Sequence, residues 1–255
     1  MWIDTHAHLN APQFDEDREQ VIQRALEAGV TRIVNIGFNR ETIPTSLALT
    51  ERYPFIYTAV GWHPQDAIDM RPSDLEWIEE LSKKDKVVAI GEIGLDYYWD
   101  TSPKDVQDRV FREQIRLARK IGKPIIIHNR DAHHDVVQTL REEKAAEVGG
   151  IMHCFSGSWE TAKLCLDMNF HLSFGGPITF KNAKQPKEVL AKVPLDRLLL
   201  ETDCPYLTPH PHRGKRNESS YVPLIAEIAA TCHGISLEQL AEITTQNAIK
   251  RLGLS

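Results

Sequence analysis

Short apolar runs and stretches of helical spacing alternate along this chain. The runs lie at Trp2–His8, Arg32–Gly37, Phe55–Gly61, Val87–Gly91, Pro124–His128, Gly150–Phe155, Phe170–Gly175 and Leu198–Thr202. Near-continuous apolar runs of this length fit strands buried on both faces, as in a parallel sheet. Between them, Phe14–Ala28 and Pro103–Ile121 show helical periodicity. In the latter, Val110, Ile115, Leu117 and Ile121 form an apolar stripe, and Pro103 suits a first-turn position. Strands alternating with helices imply right-handed crossovers, and eight such units in roughly 250 residues close into a barrel. Two further helical patterns, Tyr221–Cys232 and Leu237–Leu252, follow the eighth run, and Ser236 with Gln239 reads as a capping box for the last. The expectation is an α/β protein, a single (β/α)8 TIM-type barrel with an extra C-terminal helix. No linker or repeat divides it, so one domain is expected over residues 1–255.

Composition narrows the function classes. The 255 residues carry a formal net charge of -6, so no global basic field draws the protein onto nucleic acid. A polyanionic substrate would have to be held by local cations or by metal ions. The four cysteines, Cys154, Cys165, Cys204 and Cys232, form no CxxC pair and read as free thiols of a reducing cytosol. Strand alternation would turn Cys154 and Cys204 away from the residues that precede them. No signal peptide is visible at Met1–Asp4, and no run approaches the roughly 20 apolar residues of a membrane span. A cytoplasmic location is expected, with no membrane contact and no obligate protein partner.

The chemistry lies where the runs end. In His6-Ala7-His8 the two imidazoles are two residues apart, hence on one face of a strand. Run four leads into Glu92, run five ends at His128, run six reaches His153 and run eight leads into Asp203. An ionisable residue closing an apolar strand is costly without a partner, and in a barrel all these ends meet at one face. A merely solvated rim would favour Lys, Glu and Ser rather than four His and two acids. Six ligands exceed the three of one catalytic zinc and suit two divalent cations. Glu92 can bridge them, with His6, His8 and Asp203 completing one site and His128 and His153 the other. The mixed nitrogen and oxygen donors leave magnesium, manganese and zinc open. Glu92 and Asp203 are the expected catalytic carboxylates, Asp203 accepting the proton of the attacking water. Glu201 and Asp4 share faces with ligands. Each is a candidate support for a ligand; the alternative is a buried structural ion pair for Glu201 and simply a buried polar residue for Asp4.

The substrate side is read from His63, at the end of run three, from Arg130, and from Arg213, Lys215 and Arg216 in the basic loop after run eight. These are candidate phosphate contacts. A loop histidine and a solvated basic loop are the alternatives.

Jointly, Thr5-His6-Ala7-His8-Leu9, Gly61-Trp62-His63-Pro64, Gly91-Glu92-Ile93-Gly94-Leu95-Asp96-Tyr97, Ile127-His128-Asn129-Arg130, His153-Cys154-Phe155-Ser156-Gly157, Glu201-Thr202-Asp203-Cys204-Pro205-Tyr206-Leu207 and Arg213-Gly214-Lys215-Arg216-Asn217 resemble the TatD family of metal-dependent deoxyribonucleases, in the family's order and over nearly the whole chain. The resemblance implies a TIM-type barrel, a two-metal centre often served by magnesium or manganese, and hydrolysis of DNA phosphodiesters in the cytoplasm. The expected substrate is the 3′ end of single-stranded DNA, with RNA also possible. One departure is that Ser219 stands where the family commonly has proline, which would loosen the loop before the last helices. The competing readings are an amidohydrolase-type enzyme acting on a small-molecule or transfer-RNA ester or amide, and a non-catalytic metal-bound scaffold. Amidohydrolases often bridge their metals with a carboxylated lysine at strand four, where this chain has Glu92.

Overall fold

A computed structural model describes residues 1–255. The first half of the chain runs β1 (Trp2–Ala7), α1 (Arg18–Glu27), β2 (Val30–Gly37), α2 (Thr42–Arg52), β3 (Ile56–Val60), α3 (Pro72–Leu81), β4 (Val87–Asp96) and α4 (Lys104–Ile121). The second half runs β5 (Ile125–Arg130), α5 (His133–Glu142), β6 (Gly150–Met152), α6 (Trp159–Asp167), β7 (Phe170–Phe174), α7 (Lys184–Leu190), β8 (Leu198–Leu200), α8 (Val222–His233) and α9 (Leu237–Leu252). The strands pair in parallel in chain order, β1 to β8, and helices fill the crossovers. This is the expected TIM-type barrel, and the second helix after β8 is the expected extra one. Closure is made at the C-terminal end of β1, where the Asp203 amide donates to His6 O (2.8 Å) and the His8 amide to Cys204 O (2.8 Å). Those bonds lock two candidate ligand segments to each other. No helix is long and apolar enough to cross a membrane.

Two apolar cores result. The larger lies between the helices and the outer face of the sheet. The smaller fills the barrel with Ile3, Val34, Ile36, Tyr57, Val88, Ile126, Ile151 and Leu199, and Ala248, Leu252 and Leu254 pack against it. The end of the extra helix thus joins the interior core, leaving the C-terminal ends of the strands for polar groups. The expected capping box holds α9, with Gln239 N donating to Ser236 Oγ (3.1 Å) and Ser236 N to Gln239 Oε1 (3.0 Å).

Several boundaries differ from the pattern reading. Strand four does not end at Gly91 but runs on to Asp96, because Ile93–Asp96 continue the pairing with Ile127–Arg130 after a register shift past Ile90. The first helix begins at Arg18, since Pro12–Phe14 form a separate 3₁₀ turn. Pro103 caps α4 from just outside it.

Helix α9 is also tied to β7. Arg251 Nε donates to His171 Nδ1 (3.0 Å), and its Nη2 donates to Asn169 O (2.9 Å). Burial, with the Arg251 charge adding, pushes the His171 imidazole down to about 3 from its ordinary 6.5. The folded state therefore leaves this ring neutral where the unfolded chain protonates it. The contribution is intact above pH 6.5 and is lost as the pH falls from there towards 3, at up to about 1.4 kcal/mol per pH unit. Between pH 6.5 and 5, the wild type is expected to lose about 2 kcal/mol more stability than His171→Gln. Urea unfolding at the two pH values measures this. Equal losses would show that the folded ring takes up the proton.

Candidate metal centre

Six histidine and carboxylate side chains from five different strands or strand exits meet at this end of the barrel, all of them buried or nearly so. Glu92 is the hub. Its Oε2 lies 3.2 Å from His6 Nε2. Its Oε1 lies 2.8 Å from His128 Nδ1, 3.5 Å from His153 Nε2 and 3.7 Å from His63 Nε2. On the Oε2 side, Asp203 Oδ1 is 3.2 Å from His8 Nε2 and 3.7 Å from His6 Nε2. The donor atoms fall into three groups that could each hold a cation: His6, His8 and Asp203; His6, His153 and Glu201; and His63, Glu92 and His128. The rings of His6 and His153 stack at 3.6 Å.

Burial and charge act against each other here. On the protein's own charges, desolvation raises Glu92, but His153 and His6 more than reverse this and hold it well below the usual carboxylate range. Asp203 is likewise held down by His153 and His8 against the pull of burial. Desolvation would lower His153, yet Glu201 and Glu92 push it up to about 10. Desolvation with the nearby His153 charge lowers His6. His6 is fully buried, and neither of its ring nitrogens makes a hydrogen bond. Such orphaned groups cost about 1–3 kcal/mol each. Buried imidazole nitrogens without hydrogen-bond partners, set among carboxylate oxygens, are the donor set that divalent cations satisfy, so these residues fit a metal centre.

Behind the inner ring stand two carboxylates, Asp96 hydrogen-bonded to its imidazole and Glu201 in close ion-pair distance of its own. Glu201 Oε1 lies 2.8 Å from His153 Nδ1, opposite the Nε2 that faces Glu92. Asp96, which the sequence reading passed over, lies 2.8 Å from His128 Nε2, opposite the Nδ1 that faces Glu92. The available signal was the motif itself, since Asp96 is four residues beyond Glu92 in an extended segment and therefore on its face. A carboxylate on the far nitrogen fixes both ring orientation and tautomer. Replacing Asp96 by asparagine is expected to weaken cation affinity at the His128 position by about 10- to 100-fold. Calorimetric metal titration is the check, and an unchanged weaker site would remove this role.

Other expectations land differently. The Asp4 carboxylate does not reach an imidazole ring. It accepts from Thr202 N (2.9 Å), Thr202 Oγ1 (2.6 Å) and Ser219 Oγ (2.7 Å), and burial pushes it up to about 7. The irregular register of β1 between Asp4 and Ala7 breaks the alternation that would have placed Asp4 beside His6. Ser219 therefore does not loosen its loop; fully buried, it ties α8's entry to β1. Cys154 lines the cavity over the site instead of turning away, because β6 ends at Met152 and Cys154 has a left-handed φ of 42°. Cys204 is buried beside Ser219, and all four thiols are free.

The basic loop lies outside the cavity. Arg216 donates to both Asp17 oxygens (2.8 and 2.7 Å) and to Gln13 O (2.6 Å), with its guanidinium over the Phe14 ring. Arg213 lies over Phe180 at 3.6 Å, and Lys215 points into solvent. None of the three lines the cavity. Asn217 donates to Thr202 O (2.8 Å) and Tyr206 O (2.6 Å), and Glu218 pairs with Arg24. Asn217 thus holds the segment that carries Asp203, while Arg216 and Glu218 tie the loop to Asp17 and Arg24. By contrast, His63 and Arg130 do line the cavity, which has a volume of about 590 Å³. His63 Nδ1 accepts from the Gln65 amide (3.1 Å), so the proton of the neutral ring sits on Nε2, facing Glu92. Burial pushes His63 down to about 3, which keeps it neutral.

Buried imidazoles and carboxylates at the C-terminal end of a (β/α)8 barrel define a metal-dependent hydrolase. The chain belongs to the TatD-related DNase family, whose profile matches residues 3–253. It is 63% identical, over 99% of its length and 98% of the relative's, to the metal-dependent hydrolase YabD of Bacillus subtilis. It is 35% identical to a Salmonella typhimurium protein named 3'-5' ssDNA/RNA exonuclease TatD, over 96% of both chains. The crystal structure of YJJV, a TatD homologue from Escherichia coli, superposes with a TM-score of 0.94 at 31% identity, covering all of this chain and 98% of the other.

Proposed function

We propose that the protein is a two-metal nuclease that removes nucleotides from the 3′ end of single-stranded DNA, with RNA as a further substrate. The observation that carries the two-metal reading is Glu92. Its oxygens face separate groups, Oε2 towards His6 and Oε1 towards His128 and His153. In this reading His6, His8 and Asp203 hold one cation, His128 and His153 the other, and Glu92 both. When bound, divalent cations of this kind (magnesium, manganese or zinc) supply Lewis-acid activation of water and neutralise charge on the phosphodiester oxygens. Asp203 takes the proton released by the attacking water. His63 Nε2–H donates to a phosphate oxygen, and Arg130, the only Lys or Arg lining the cavity, neutralises the next phosphate. Glu201 and Asp96 hold His153 and His128 in register. The Salmonella relative's name supports both the direction of cleavage and the choice of substrate. Four free thiols accord with a cytoplasmic location.

The test uses metal-depleted protein reconstituted with each cation. Its substrates are single-stranded DNA labelled at either end, duplex DNA, RNA, and simple carboxylic esters and amides. Mononucleotides released first from the 3′ end, only with metal, are the expected result. Turnover that survives exhaustive chelation, or esters consumed faster than any nucleic acid, would overturn the reading.

A further inference from the structure

The surface around the cavity is unusual in its aromatics. Three aromatic side chains of the whole chain are exposed, Tyr98 (54%), Trp99 (48%) and Tyr206 (50%), and all three stand at this one mouth. Trp99 and Tyr206 line the cavity together with exposed Leu207. Tyr98 packs on Trp99 with ring centroids 4.8 Å apart and carries the Arg130 guanidinium 3.8 Å from its own centroid. Tyr206 touches the metal centre directly, its ring 5.9 Å from that of His8. Leaving such rings in water costs hydrophobic free energy, and three of them at one polar mouth mark a contact surface for something flat and apolar.

The rings are also anchored to the centre. Asp96 Oδ1 accepts the amides of Tyr98 (3.0 Å) and Trp99 (3.1 Å), while its Oδ2 lies against His128. One carboxylate therefore sets the aromatic pair and a candidate ligand at a constant separation.

We infer that Trp99, backed by Tyr98, and Tyr206 form a stacking platform for the unpaired nucleobases flanking the scissile phosphodiester, with Arg130 beside the stack for the phosphate. This rests on the nuclease reading above. It assigns recognition to base faces, which a paired duplex hides and a single strand offers, whatever the sequence. It places this contact within the cavity mouth, which Arg213, Lys215 and Arg216 do not line.

The test compares two single-stranded oligodeoxynucleotides that differ only in a normal or an abasic 3′-terminal nucleotide. KM is measured in turnover by the manganese-loaded protein. Kd is measured by fluorescence anisotropy on versions whose last linkage is an unhydrolysable methylenephosphonate. Wild type is expected to favour the normal end by roughly 5- to 150-fold, the range of one base–aromatic stack. Trp99→Ala should bring that ratio close to one, while Trp99→Phe, which keeps a ring, should restore most of it. Both side chains are half exposed, and thermal melting with metal counting verifies that the variants are folded and loaded. A wild type that cleaves both ends with equal KM, or a Trp99→Ala variant that keeps the full ratio, overturns the platform and leaves the nuclease reading standing. A wild type that binds and discriminates without cleaving sustains the platform and rejects the nuclease reading. Neither binding nor cleavage overturns both.

Discussion

Glu92→Ala is expected to empty both cation positions together and to lower turnover by about three orders of magnitude or more. Each of the two proposed sites uses one Glu92 oxygen. Without it, two like charges would face each other across a buried gap with nothing to screen them. Metal ions contribute several kcal/mol of charge stabilisation in such reactions, and each 1.36 kcal/mol is tenfold in rate, so losing them costs about three decades. His128→Ala, which removes one ligand of one site, should lower the stoichiometry towards a single ion. Elemental analysis of both purified variants checks this. Two ions retained in Glu92→Ala would show that it does not bridge.

The second large effect is expected at a residue that binds nothing. Gly94 sits between Glu92 and Asp96 with a φ of 150°, in the region that side chains rarely adopt, and is paired with His128 across the sheet. A Cβ built there would lie 1.9 Å from the His128 carbonyl oxygen. That oxygen belongs to a strand backbone and cannot swing aside, so Gly94→Ala must part β4 from β5 where both carry candidate ligands. A stability loss of about 4 kcal/mol or more is expected, in the range reserved for core disruption, along with loss of the cation held through His128. Denaturant unfolding and metal titration measure the two effects. A midpoint matching wild type would mean that the strands tolerate the shift.

The candidate ligands were legible because two local rules converge on them. Apolar runs ending in His, Glu or Asp announce strand ends that need partners, and a parallel barrel gathers such ends at one face. His6, His8, Glu92, His128, His153 and Asp203 accordingly lie together. Rules of this kind see only neighbours along the chain. Arg216 was read as a phosphate ligand because its neighbours are basic, yet its partner Asp17 is 199 positions away. Ser219 was read as a weakened proline site, yet its hydroxyl meets Asp4, 215 positions away.

Sequence by itself therefore determined the barrel, through period and run length, and the identity of the side chains that converge on Glu92, through their place at the ends of runs. Tertiary structure alone decided which oxygen of Glu92 faces which histidine. It also placed Asp96 and Glu201 behind His128 and His153, tied Arg216 to Asp17 and Asn217 to the Asp203 segment, and left Tyr98, Trp99 and Tyr206 as the exposed rings at the mouth. The physical reason is that periodicity follows from the local geometry of the backbone. Hydrogen-bond pairing, ion pairing and exposure depend on distances between strands and loops that only the closed barrel sets.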